Sequence, residues 1–244
     1  MTSHKNPSLT IRSNGSKGPR LPFELQPIMR LDTGEVFAHE LLFRGERSEG
    51  IWKVVDRAVL EYFRVKNRRS LPTFINLDHG FLLDTPDRLL LEVMEHNQVY
   101  FELSEELVSA DVFESVSMKV NRLSAQGITF AIDDFGSGLD GLSRLYALDR
   151  VACIKVDGKL FQQAHKRKHA RESLRSMVSH WNKSGFLTIA EWVESPDLMA
   201  FAMETGFGLA QGFQVDAFLQ DQAHRESIKK TDKIAVGDQL ATTQ

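Results

Sequence analysis

Residues 128 to 138 read Ile-Thr-Phe-Ala-Ile-Asp-Asp-Phe-Gly-Ser-Gly, and they combine a strand with a chemical site. The run Ile128 to Ile132 is apolar and β-prone, and it ends in two adjacent carboxylates, Asp133 and Asp134, followed by a glycine turn. A buried carboxylate is costly unless it is paired or coordinated. Two in succession at a strand end therefore indicate metal ligands.

On either side of this stretch, short β-prone runs alternate with segments of helical periodicity, which indicates repeated strand and helix units. We predict eight strands: Phe23 to Met29, Val36 to Phe43, Thr73 to Leu77, Val99 to Leu103, Ile128 to Asp133, Ala152 to Val156, Phe186 to Ala190 and Gly208 to Gln211. The expected helices are Lys53 to Val65, Pro86 to Glu95, Ala110 to Ala125, Leu142 to Leu148, Ala164 to Lys183 and Pro196 to Glu204.

The arrangement of these elements predicts an α/β fold, a TIM-like β/α barrel with a first antiparallel strand. The tight-turn sequence Asp32-Thr33-Gly34 joins the first two strands, so they should form an antiparallel hairpin, whereas helix-length segments separate the later strands. An open doubly wound sheet is the alternative. The barrel would gather reactive groups at the carboxyl ends of its strands.

The two ends of the chain are polar, so we expect one domain with flanking segments. Residues 1–20 are predicted to be a flexible N-terminal arm, since they lack the apolar run of a signal peptide. The domain would cover residues 21–220. Residues 221–244 would form a polar C-terminal tail, in which Ile228 to Val236 could dock as a helix.

Composition excludes several classes of protein. A formal net charge of -3 gives no general attraction for a DNA or RNA polymer. No apolar run approaches the ~20 residues that span a bilayer, so no membrane span is expected. The single cysteine, Cys153, supports no disulfide framework and is expected to be a small buried hydrophobe. These features predict a soluble, cytoplasmic protein.

The polar residues at or near the predicted strand ends are mostly acidic. They are Glu40, Asn76, Glu102, Glu105, Asp133, Asp134, Lys155, Asp157, Glu191, Glu194 and Gln211. So many carboxylates around one axis would cost several kcal/mol for each unpaired charge, and bound cations would remove that cost. Oxygen ligands without His or Cys favour Mg²⁺ or Mn²⁺ over Zn²⁺. We expect a two-ion site in which Asp133 is the bridge.

From Leu21 to Leu219 the chain resembles the EAL-domain cyclic di-GMP phosphodiesterases. The resemblance rests on a series of short motifs that occur in order on the predicted strands. They are Glu40-Leu41-Leu42 with Arg44, Asn76-Leu77-Asp78, Glu102-Leu103-Ser104-Glu105, Asp133-Asp134-Phe135-Gly136-Ser137-Gly138, Lys155-Val156-Asp157, Ala190-Glu191-Trp192-Val193-Glu194 and Gln211-Gly212-Phe213.

The resemblance implies hydrolysis of cyclic di-GMP to linear pGpG with two Mg²⁺ or Mn²⁺ ions. The implied ligands of the first ion are Glu40, Asn76, Glu102 and Asp133, and those of the second are Asp133 and Asp134. By similarity, Glu191 is the general base and Lys155 orients the attacking water. Three residues resemble substrate contacts: Gln26, Arg44 and Gln211. Three more either support the ligands or pin loops: Glu105, Asp157 and Glu194.

The chain also departs from the family's pattern near the substrate cleft. The segment from Arg44 to Asn76 is shorter by roughly a helix and its loop, and Trp192 stands where the family has a small glycine. Two functions therefore remain open: an active phosphodiesterase, or a weak or inactive descendant that senses cyclic di-GMP or binds a regulatory protein partner. A homodimer is a further expectation from the resemblance. Retention of the whole ligand set favours catalysis.

Overall fold

The strands and helices of a computed structural model alternate along most of the chain. The structure describes residues 6–13, 18–46, 48, 50–65, 69–104, 108–138 and 141–225. Its strands are β1 (Ser8–Arg12), β2 (Arg20–Arg30), β3 (Val36–Phe43), β4 (Thr73–Asn76), β5 (Val99–Leu103), β6 (Phe130–Phe135), β7 (Cys153–Val156), β8 (Leu187–Ala190) and β9 (Leu209–Ala210).

The helices follow the strands as the barrel prediction requires. They are α1 (Ile51–Arg64), α2 (His79–Asp84), α3 (Asp87–His96), α4 (Ala110–Ser124), α5 (Gly141–Tyr146), α6 (Gly158–Lys166), α7 (Lys168–Lys183) and α8 (Pro196–Thr205). Residues 213–225 are also helical. Within the described ranges, no helix combines the length and the apolar character needed to cross a membrane.

Strands β2 to β9 close into an eight-stranded barrel. Neighbours from β3 to β9 pair in parallel, and β2 completes the ring by pairing antiparallel with both β3 and β9. The predicted TIM-like barrel with a first antiparallel strand is therefore confirmed, and the open sheet is excluded. The largest apolar cluster lies between the strands and the helices and stabilises the barrel from outside.

Side chains inside the barrel form two layers, because alternate residues of a strand face the same side. We call the lower one the apolar layer; its members are Ile28, Ala38, Phe74, Tyr100, Ala131, Cys153, Ile189 and Leu209. The second layer, which we call the polar ring, lies two residues nearer the barrel mouth along each strand. Its members are Gln26, Glu40, Asn76, Glu102, Asp133, Lys155, Glu191 and Gln211. The apolar layer thus forms the floor of a polar site.

The two ends of the chain differ from the prediction. The prediction of a flexible arm over residues 1–20 is wrong for Ser8–Arg12, which forms β1 and pairs antiparallel with the first residues of β2. Ile11 is 2% exposed, so β1 contributes to the core. At the other end, the helix over residues 213–225 continues past the predicted start of the tail at Asp221. The proposed helix from Ile228 to Val236 lies outside the described residues.

Candidate metal centre and its surroundings

Lys155 is the hub of the polar ring. Its side chain is 1% exposed, and β7 directs it into the barrel among four carboxylates. The Lys155 Nζ atom lies 2.6 Å from Glu102 Oε1, 2.7 Å from Asp133 Oδ1, 3.0 Å from Glu191 Oε1 and 3.1 Å from Glu40 Oε2. Strands far apart in sequence are therefore joined through a single ammonium group.

Amide side chains add hydrogen bonds to the same carboxylates. Asn76 Nδ2 donates to Glu40 Oε1 at 3.2 Å and to Glu102 Oε2 at 3.0 Å. Gln211 Nε2 donates to Glu40 Oε2 at 2.5 Å and to Gln26 Oε1 at 2.9 Å. Gln26 reaches this position because it faces Glu40 in the β2–β3 register. For Asn76 to ligate a cation through its oxygen, its amide would have to turn.

Most carboxyls of the site hold protons more tightly than ordinary ones. Burial raises the pKa values of Glu102 and Glu191 well above their usual range, because the charged forms lose contact with water. Burial also raises the pKa of Asp133. Burial and the charge of Asp133 together raise the pKa of Asp134 to about 6. The raised pKa values indicate that the site carries more negative charge than the ammonium of Lys155 compensates.

Two members of the ring are held in their charged forms. Burial acts to raise the pKa of Glu40, but the charge of Lys155 and the amide donors outweigh it, so this pKa is lowered. Burial acts to lower the pKa of Lys155, but the carboxylates around it raise that pKa well above its ordinary value. The ammonium therefore remains protonated at neutral pH.

The donor set fits a divalent cation. One oxygen from each of Asp133, Asp134 and Glu191 lies within 4.8 Å of the others, which is a spacing that could hold a metal ion. Among the described residues, buried Glu191 Oε2 and Gln211 Oε1 accept no hydrogen bond. Unpartnered buried oxygens of this kind suit a cation or its bound water, and carboxylates are the ligands that Mg²⁺ and Mn²⁺ prefer.

Some of the predicted site residues lie outside the ring. Arg44 follows β3 and its Nε pairs with Glu24 Oε2 at 2.8 Å. Asp157 accepts hydrogen bonds from the backbone N–H groups of Lys159 and Leu160, both at 3.0 Å, so it caps the N-terminus of α6. Glu194 is exposed in the loop after β8. Glu105 lies outside the described residues.

Two residues beside the ring adopt the left-handed backbone conformation that favours glycine. Asp134 has φ 52° and Trp192 has φ 50°. The Trp192 ring packs on the first residue of α6, because a Cβ atom added at Gly158 would collide with Trp192 Cγ. Trp192 is 47% exposed. The ring therefore covers the start of α6, directly after the candidate base Glu191.

Sequence reasoning missed one buried acid, Asp56 on α1, which is 5% exposed. The signal was its position in the apolar stripe of the helix. Val59, Leu60 and Phe63 follow Asp56 at intervals of three, four and seven residues, and all three are buried. A lone acid in such a stripe is directed toward the core.

Comparison with known proteins assigns the family. The profile of the EAL domain matches residues 12–216, so the chain belongs to the EAL domain family. It is 25% identical over 218 residues to the cyclic di-GMP phosphodiesterase PdeF of Escherichia coli (strain K12), covering 78% of this chain and 29% of that protein. It is 25% identical over 167 residues to the cyclic di-GMP phosphodiesterase PdeA of Borreliella burgdorferi, covering 66% and 25%. The chain spans less than a third of these relatives.

Solved structures share the barrel. The EAL domain of Mycobacterium smegmatis DcpA matches with a TM-score of 0.62 and 27% identity, over 79% of this chain and 88% of that one. Klebsiella pneumoniae BlrP1, described as a calcium and cyclic di-GMP complex, matches with a TM-score of 0.69 and 24% identity, over 84% and 57%. The likeness to BlrP1 shows the fold alone.

Proposed function

We propose that this chain hydrolyses one phosphodiester bond of cyclic di-GMP to linear pGpG with two Mg²⁺ or Mn²⁺ ions. The observation that carries the proposal is the clustering of Glu40, Glu102, Asp133 and Glu191 around Lys155, with Asp134 alongside. Membership of the EAL domain family and the similarity to cyclic di-GMP phosphodiesterases support it.

The ions would be held by the residues that the sequence suggested. Glu40, Asn76, Glu102 and Asp133 would hold the first ion, and Asp133 would share the second ion with Asp134. Two bound ions would supply an activated water and stabilise negative charge on the reacting phosphate. The ammonium of Lys155 would then be free to stabilise charge on the phosphate and to orient the water.

Glu191 is suited to take the proton of the attacking water. Its Oε1 lies 3.0 Å from Lys155 Nζ, which fixes the carboxylate, while its Oε2 accepts no hydrogen bond among the described residues. The water oxygen would bond to phosphorus as the bond from phosphorus to a ribose 3′ oxygen breaks. That leaving oxygen would take up a proton, which gives pGpG with a 5′-phosphate.

Substrate contacts would come from the edge of the ring. Gln211 Oε1 lacks a partner among the described residues, and its amide nitrogen already positions Gln26. Both amides could therefore bind polar groups of the nucleotide. Arg44, which is half-exposed, would contact a phosphate or sugar at the mouth.

The test is a turnover assay with Glu191→Gln as the key variant. The purified chain with Mg²⁺ or Mn²⁺ is expected to convert cyclic di-GMP to pGpG, measured by chromatography. Glu191→Gln should lower the rate by roughly 10²- to 10⁴-fold, because general-base catalysis contributes that much. Binding of Mn²⁺ and nucleotide should persist. Binding without turnover in the unmodified chain would instead support the sensor function.

A further inference from the structure

The loop after β8 is held by backbone hydrogen bonds on both sides of Trp192. The N–H of Glu191 donates to the carbonyl oxygen of Val156 at 3.2 Å, and the N–H of Val193 donates to that of Gln211 at 3.0 Å. Glu191 and Val193 are both buried, whereas Trp192 between them is 47% exposed. The turn at Trp192 therefore joins the candidate base to a residue of the core.

This turn carries backbone strain. Trp192 has φ 50°, in the left-handed region that bulky residues rarely adopt. For a residue with a Cβ atom, the left-handed conformation is disfavoured by about 5- to 30-fold relative to the ordinary one, whereas glycine adopts it at little cost. Contacts of Trp192 must therefore offset a strain that a change of backbone angles would relieve.

Helix α6 supplies these contacts. The Trp192 ring packs on Gly158, and the missing side chain of this glycine leaves room for it, since an added Cβ atom would collide with Cβ, Cγ and Cδ2 of the tryptophan. One turn further along the helix, Gln162 Nε2 donates to the carbonyl oxygen of Trp192 at 3.4 Å. The start of α6 thus contacts both the ring and the backbone of Trp192.

The first turn of α6 is itself anchored. Asp157 accepts hydrogen bonds from the N–H groups of Lys159 and Leu160, both at 3.0 Å. Leu160 also packs on Gly136, where an added Cβ atom would collide with Leu160 Cδ2. Gly136 belongs to the turn that follows the acid pair of β6. One helical turn therefore contacts both the loop of the acid pair and the loop of the candidate base.

We propose that Trp192 is a positioning residue, whose ring packs on Gly158 and so maintains the strained turn that holds Glu191 against Lys155. This inference rests on the proposed function, because Glu191 affects turnover as the base. Without the contact to Gly158, Trp192 would relax to ordinary backbone angles, and the peptide bond that joins it to Glu191 would rotate. The Glu191 carboxylate would then lose its 3.0 Å contact with Lys155 Nζ.

Substitutions at residue 192 separate the strain from the ring. Trp192→Gly loses the ring but adopts the left-handed conformation freely, whereas Trp192→Ala loses the ring and keeps the strain. The kcat of Trp192→Ala should therefore lie about 5- to 30-fold below that of Trp192→Gly. Trp192→Phe keeps an aromatic ring and should stay close to the unmodified chain. KM should change little in all three variants.

A ring that contacts the substrate predicts a different result. Trp192→Gly and Trp192→Ala would then have equal kcat values, and both would have a raised KM. This outcome would overturn the positioning role while leaving the phosphodiesterase proposal intact.

Gly158→Ala tests the contact from the other side. The added methyl group would displace the Trp192 ring, so kcat should fall about 5- to 30-fold in the unmodified background. The same substitution should have little effect in the Trp192→Gly background, because no ring is there to displace. Gly208→Ala is the matched control, since a Cβ atom added at Gly208 lies 4.0 Å from its nearest neighbour, the carbonyl oxygen of Thr188.

Urea unfolding of the metal-free chains in a chelator provides a readout that does not depend on turnover. Gly158→Ala should lower the unfolding midpoint when Trp192 is present and leave it almost unchanged in the Trp192→Gly background. Coupling of the two substitutions in stability but not in kcat would overturn the positioning role alone. Additive effects in both measurements would overturn the contact as well. Absence of pGpG from the unmodified chain would overturn the proposed function and the positioning role together.

Discussion

The polar ring and the buried acid Asp56 on α1 compensate buried negative charge to different degrees. In the ring, four carboxylates lie within 3.1 Å of Lys155 Nζ, so the protein supplies a cation of its own. On α1, Asp56 accepts a hydrogen bond from the backbone N–H of Asp78 at 3.2 Å, and it forms no salt bridge among the described residues. The charge of the ring is therefore partly compensated by a side-chain cation, whereas Asp56 has only a backbone N–H. Removal of the Lys155 charge should therefore destabilise the fold, whereas removal of the Asp56 charge should stabilise it at high pH.

The largest effect is expected for Lys155→Met. Loss of the ammonium leaves four buried carboxylates without their cation, so the free energy of unfolding should fall by about 3 to 5 kcal/mol. Urea unfolding in a chelator measures this change. Mn²⁺ should restore part of the loss, and restore more than it adds to the unmodified chain. Lys159→Met, at an exposed lysine on α6, is the control. Equal stability of Lys155→Met and Lys159→Met would contradict the compensated ring.

Asp56→Asn should behave in the opposite way and become relatively more stable as the pH rises. The pKa of Asp56 is about 7 in the folded chain, where burial and the charge of Asp78 raise it from 3.8. The folded state thus binds more protons than the unfolded state between those values, and the unmodified chain loses stability as the pH rises through them. Asp56→Asn carries no carboxyl at this position, so it should not lose stability in this way as the pH rises.

The difference in unfolding free energy between Asp56→Asn and the unmodified chain should change with pH by a predictable amount. From pH 5 to pH 8, the unfolding free energy of Asp56→Asn relative to the unmodified chain should rise by about 2 to 3 kcal/mol. Denaturant unfolding at the two pH values measures it, and Asp84→Asn, at an exposed acid at the end of α2, is the control. A difference that does not change with pH would show that Asp56 is compensated in the free protein, and the contrast with the ring would fail.

The smallest change in stability is expected at Asp157, which lies next to the ring but caps α6. Asp157→Ala removes the cap of α6 and should cost about 1 kcal/mol of stability without changing Mn²⁺ affinity. Asp157→Ser should recover most of the stability, because serine also caps helices. A tenfold loss of Mn²⁺ affinity in Asp157→Ser would instead place Asp157 among the groups that support the metal ligands.

The sequence predicts the ring well because strand periodicity carries the information. On the parallel strands, each member lies two residues beyond an apolar one toward the barrel mouth, and Gln26 faces Glu40 from the antiparallel β2. A closed barrel therefore brings them together wherever the helices lie. The position of Lys155 at their centre was not predicted, since it depends on side-chain distances across the barrel. Its proposed catalytic role remains a prediction.

Other features depend on tertiary context that local patterns lack. β1 has only five residues, and its pairing is decided by the length of β2 beyond the barrel. The helix expected over Ala164 to Lys183 divides at Arg167, which has an extended backbone. Asp56 lies in the apolar stripe of α1, but its burial depends on how that helix packs in the folded chain.

The most direct test of the central claim is the Mn²⁺ dependence of pGpG formation. The purified chain, stripped of metal, is titrated with Mn²⁺ in the presence of cyclic di-GMP, while metal binding is measured in parallel. The account predicts that pGpG forms in proportion to Mn²⁺ occupancy and that a chelator stops it. Saturation with Mn²⁺ but no pGpG, or an equal rate in the chelator, would contradict it.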